Sequence, residues 1–120
     1  MRTGCGLLSV LVALLLVGTL SCQPSAGSQK KSIVVTYSIL GAVVQELVGD
    51  SANVIVSVPN GLDPHDWQPS ARDIEAINKA DLVVQNGLGL EGGMQKTLEV
   101  ARNKGVKFFT ATDHITIRHV

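Results

Sequence analysis

Chemistry-bearing side chains are sparse in this sequence and gather in one stretch, Gly61-Leu62-Asp63-Pro64-His65-Asp66-Trp67-Gln68-Pro69-Ser70. Neutral imidazole is the commonest side-chain metal ligand, so His65 is the candidate to hold a divalent transition ion such as zinc or manganese. Pro64 fixes its own φ and restricts Asp63, which stiffens the backbone that delivers His65. A stiff loop loses less entropy when its side chain coordinates. Asp63 and Asp66 flank the imidazole and can orient it or tune its field from outside the coordination sphere. Trp67 can keep water away. The bland alternative is an exposed loop histidine between two solvated aspartates.

The other candidates for chemistry are weaker. Glu91 follows Gly87-Leu88-Gly89-Leu90 and reads as a residue that fixes this loop or the next helix, not as an acid–base carboxylate. Gly87-Leu88-Gly89 lacks the further glycine of a dinucleotide fingerprint and the Lys-Ser/Thr pair of a phosphate loop. No H-E-x-x-H, no G-x-S-x-G and no second histidine near His65 is present, which argues against an enzyme. Ten basic residues balance ten acidic ones, and no basic patch is dense enough for nucleic acid.

The elements that must position the His65 loop are legible as alternating patterns. Residues 33–37 (IVVTY), 54–58 (VIVSV), 82–84 (LVV) and 106–109 (VKFF) read as strands, apolar on both faces as in a covered parallel sheet. Between the first two, Leu40, Val43, Val44, Leu47 and Val48 recur at helical spacing, with Ser38 expected at the N-cap and Gly49-Asp50 as the stop. Ser70 and Asp73 form an S-x-x-D cap for a second helix, whose expected buried face is Ile74, Ile77 and Ala80. A third helix over residues 93–103 should bury Met94, Leu98 and Ala101 and expose Gln95, Lys96 and Glu99. The order β-α-β-α-β-α-β predicts an α/β fold, a parallel sheet with helices on both faces. Ligands of such sheets sit beyond the carboxyl ends of the strands, and the His65 loop follows the second strand there.

The N-terminus points outward. Arg2 precedes an uncharged run over residues 6–20 (GLLSVLVALLLVGTL), short for a membrane span and matched to a secretory signal over residues 1–21. Cys22 with the polar residues 23–31 resembles a bacterial lipoprotein junction, which implies a lipid on Cys22, a tether over residues 22–32 and a membrane-anchored location facing the periplasm or the exterior. Ordinary cleavage further on, after Gly27, is the alternative. Cys5 leaves with the signal, so Cys22 has no disulfide partner.

Residues 35–91 closely resemble the metal-binding receptors, or solute-binding proteins, of zinc and manganese ABC importers. The matching segments are Tyr37-Ser38-Ile39-Leu40-Gly41, Gly61-x-Asp63-Pro64-His65-x-Trp67-x-Pro69-Ser70, Asp73-Ile74-x-x-Ile77-x-x-Ala80-Asp81-Leu82-Val83 and Asn86-Gly87-x-Gly89-Leu90-Glu91. The resemblance implies two α/β lobes joined by a long helix, with the metal between them on four ligands. His65 matches the first ligand. A second histidine comes later in the first lobe, and a His or Glu and an Asp come from the second lobe. His114 and His119 lie too early to match and read as surface residues. Residues 33–120 would then be a partial N-terminal metal-binding lobe of a truncated chain. The implied function is capture of zinc or manganese for an ABC permease and its ATPase. Two alternatives stand beside it: an exported metal-dependent hydrolase using His65 with Asp63 or Asp66, and a surface adhesin or antigen with a cell-adhesion partner.

Overall fold

The computed structural model describes residues 29–118; the expected signal, Cys22, most of the tether and His119 lie outside them. The described chain runs β1 (Lys31–Tyr37), α1 (Ser38–Val48), β2 (Ala52–Val58), α2 (Ala71–Lys79), β3 (Leu82–Gln85), α3 (Gln95–Asn103) and β4 (Phe108–Thr110). Short 3-10 turns occupy Gly49–Ser51, Gly92–Met94 and Ala111–His114. The strands form one parallel sheet in the order β2-β1-β3-β4. Each parallel step needs a crossover, and the three helices supply them. None of the described helices is long and apolar enough to cross a membrane.

Alternation along the strands sends apolar groups to both faces. On one face Val35 and Val84 are buried under Val44 of α1, with Ile33, Leu40, Val48, Val54 and Leu82 around them. On the other, Val34, Val58 and Val83 meet Ile77 of α2 and Met94, Leu98 and Ala101 at α3. The registers Val35↔Val56, Val35↔Val84 and Val84↔Phe109 carry this division across the sheet. The expected α/β layering is therefore the observed one.

Three local expectations are corrected. Ser38 is the first helical residue of α1, not its cap. Extended Tyr37 holds the cap position without a side-chain bond, so the chain passes straight from strand to helix. Ile74 is 38% exposed, and on α1 Val43 and Leu47 are 52% and 79% exposed. A helix lying on one sheet buries only the row beneath it, and these apolar residues exceed that row. The fourth strand is Phe108–Thr110, because the Val106 amide instead closes a turn onto the Ala101 carbonyl.

The cap of α2 is as expected. The Ser70 hydroxyl oxygen accepts from the Asp73 amide at 3.3 Å, while the Asp73 carboxylate accepts from the Ser70 amide at 2.8 Å. This reciprocal pair closes the far end of the His65 loop. At the opposite edge, Lys31 donates to Asp81 at 2.8 Å and the Ser32 amide donates to the same carboxylate at 2.9 Å, tying β1 to the start of β3. The Lys31 hydrogen bond, then the Ser32 amide, hold the Asp81 carboxyl below its usual range.

Candidate functional site

The loop between β2 and α2 begins where β2 ends at Val58, at the carboxyl edge of the sheet. It turns first at Pro59, whose carbonyl accepts from the Leu62 amide at 3.3 Å. Asp63 then organises the rest. Its carboxylate accepts from the His65 amide at 2.9 Å, a local turn of the kind that short acidic side chains favour. Its carbonyl accepts from the amides of Asp66 at 3.3 Å and Trp67 at 3.0 Å. Three amides in succession are thus satisfied by one residue, and these bonds hold the backbone under His65 without using the ring. The His65 side chain stands exposed.

Trp67 is half-buried and packs against the cluster formed by Val58, Ile77 and Met94 with their neighbours. It ties the loop down to the core. Asp66 is exposed, and its carboxylate makes no hydrogen bond among the described residues. The sequence-predicted group therefore divides. Asp63 acts on the backbone of the loop, Trp67 anchors it, and His65 and Asp66 face solvent.

The next connection at the same edge, between β3 and α3, is fixed by Glu91. Its side chain is buried, with the residue 6% exposed, and accepts three hydrogen bonds. The Thr36 hydroxyl at the end of β1 donates at 2.8 Å, the Asn86 amide at 2.6 Å and the Gly87 amide at 3.1 Å. Glu91 is thus the loop-fixing residue expected from its setting, and its carboxylate is occupied by donors. Gly87 has φ +92°, and a Cβ there would meet the Thr112 hydroxyl and lie 2.6 Å from Thr110 Cγ2. Only glycine satisfies both conditions. Thr36 is the participant that the sequence reading passed over; the available signal was a threonine hydroxyl directly after the apolar run Ile33-Val34-Val35.

Among the described residues no group of three or more His, Cys, Asp or Glu side chains is close enough to hold a metal ion. His114 is exposed and stacks on Phe109, with ring centroids 4.7 Å apart and planes 10° from parallel. That is a surface contact, in keeping with its sequence reading.

Comparison with known proteins sets this edge in context. The chain is 34% identical over 111 residues to the metal ABC transporter substrate-binding lipoprotein ScbA of Streptococcus cristatus, covering 85% of this chain and 36% of that protein. A manganese-bound periplasmic metal-binding protein from Candidatus Liberibacter asiaticus superposes with a TM-score of 0.66 at 36% identity, over 72% of this chain and 32% of the other. The zinc-bound ZnuA-like domain of Streptococcus pneumoniae AdcA does so with a TM-score of 0.63 at 31% identity, over 72% and 33%. The chain therefore spans about a third of the length of the relatives it matches. Residues 33–119 match the ZnuA family, described as zinc-uptake complex component A, periplasmic. With well over half of its residues matched, this chain belongs to that family.

Proposed function

We propose that the protein carrying this chain captures a divalent transition metal, zinc or manganese, outside the cytoplasmic membrane and presents it to an ABC-type permease and its ATPase. The observation that carries the reading is the delivery of His65: an exposed imidazole on a loop in which the amides of His65, Asp66 and Trp67 all donate to Asp63, at the carboxyl edge of a parallel sheet. In this reading His65 supplies one ligand. A closed zinc site takes about four protein ligands, and the family resemblance draws the others from later in the first lobe and from a second lobe. The metal is cargo, and no chemistry on it is required. The relatives are transport binding proteins, not enzymes.

The same reading assigns residues 1–21 to an export signal, Cys22 to lipid attachment, residues 22–32 to a tether and residues 33–120 to part of the N-terminal lobe. The lipoprotein name of ScbA supports the anchor, and the manganese-bound and zinc-bound neighbours support either cargo.

Metal titration of the full-length protein tests the ligand. Replacing His65 with Ala is expected to weaken zinc and manganese binding by more than the about 10–100-fold that loss of an outer-shell partner costs. Affinity equal to that of the wild type would remove His65 from the site.

A further inference from the structure

We infer that Gly92 and Gly93 form the seat that sets the position of the His65 loop, so that Gly93 is a positioning residue for the imidazole. Its functional consequence rests on the reading of His65 as a metal ligand.

The two glycines lie in the 3-10 turn Gly92–Met94 and press against the loop backbone. A Cβ on Gly92 would stand 3.1 Å from the His65 carbonyl oxygen and 3.8 Å from its Cα. A Cβ on Gly93 would run into the Trp67 carbonyl oxygen, 2.9 Å from the Trp67 carbonyl carbon and 3.1 Å from that of Asp66. Every obstacle is backbone, so no rotamer change relieves the contact. Neither glycine has a positive φ. Close approach, not backbone conformation, is what demands glycine here.

The seat is anchored independently of the loop. Glu91, the preceding residue, is tied to Thr36 at the end of β1 and to the Asn86 and Gly87 amides after β3. Met94, the following residue, is 1% exposed in the core, and its amide donates to the Glu91 carbonyl at 3.1 Å. With both flanks fixed, a Cβ at residue 93 must displace the loop. Ordinary contact between carbon atoms is about 3.5–4.0 Å, so the Asp66 and Trp67 peptides would have to retreat by several tenths of an ångström. Metal–ligand distances are held to within about 0.2 Å. The displacement therefore exceeds what coordination tolerates, and it arises one to two residues from His65.

The test uses the full-length protein with Gly93→Ala, Gly92→Ala and His65→Ala, titrated with cobalt(II) and zinc(II). The visible bands of bound cobalt report ligand geometry, and backbone amide resonances report loop position without metal. Gly93→Ala is expected to shift the amides of residues 63–67 while leaving those of residues 73–79 in place. It should also alter the cobalt spectrum and weaken both metals by about 10-fold or more. Gly92→Ala should move the same signals less, since its contact is looser, and it decides the matter if the Gly93 variant does not fold. An unchanged cobalt spectrum and affinity in the variant that decides would overturn the inference. Wild-type cobalt binding by His65→Ala would instead sink the ligand reading. The amides then decide on the seat alone, and immobility at residues 63–67 would refute it.

Discussion

The Thr36 hydroxyl donates to the Glu91 carboxylate at 2.8 Å, joining residues 55 positions apart in the sequence at the carboxyl edge of the sheet. Through this bond the end of β1 and the loop after β3 become one unit, on which the turn at Gly92–Met94 and then the His65 loop rest.

Replacing Glu91 with Ala takes the acceptor from three donors at once. A buried donor left unpaired costs about 1–3 kcal/mol, and water can reach the two half-buried amides. The expected loss is about 3 kcal/mol, measured as a shift of the urea midpoint at unchanged slope. A double-mutant cycle of Thr36→Val with Glu91→Ala, each of which removes the bond, should show coupling of about 1–3 kcal/mol. Additive effects would mean that the bond is not formed in solution.

Gly41 sets how closely α1 lies on the sheet. A Cβ there would stand 2.5 Å from Cγ2 of Val56, a side chain with little freedom about χ1. Alanine is favoured over glycine inside a helix by about 1 kcal/mol, whereas overpacking costs about 1–3 kcal/mol. Gly41→Ala alone should therefore destabilise. In a Val56→Ala background the obstacle is gone, and the same substitution should stabilise by up to about 1 kcal/mol. Chemical denaturation of the four proteins reads the change of sign; its absence would show that α1 does not pack on Val56.

Lys31 and Asp81 give stability a defined dependence on pH. The Lys31 hydrogen bond, with the Ser32 amide next, lowers the Asp81 carboxyl from its ordinary 3.8. Its contribution is therefore complete above that value and disappears as pH falls through the lower folded-state value. Lys31 is raised from 10.5, first by its hydrogen bond to Asp81, so its share is complete below that value and disappears as pH rises through the folded one. Asp81→Asn should lower the urea midpoint by a constant amount across the neutral range. The difference from the wild type should narrow below 3.8 and again above 10.5. Both groups are exposed, so the offset should be small and should shrink further in high salt. A difference that does not narrow at acid pH would mean that the pair is not formed.

The sequence by itself determined the features whose causes lie within a few residues. The β-branched runs specify strands, and the helix-length spacers between them impose a parallel sheet with helices on both faces. Ser70 and Asp73, three positions apart, carry their capping box locally. Asp63 and Pro64 stiffen the His65 loop locally as well, so the candidate ligand and its loop were legible before any fold was known. Only the tertiary structure decided the rest. The row of α1 that is buried, leaving Val43 and Leu47 outside, depends on where the helix meets the sheet. The Thr36 partner of Glu91 emerges only once β1 and β3 are adjacent. The seat at Gly92 and Gly93 exists because two peptide backbones approach to contact. Such approach is a property of packing between distant segments, and a glycine in sequence carries no mark of what will press against it.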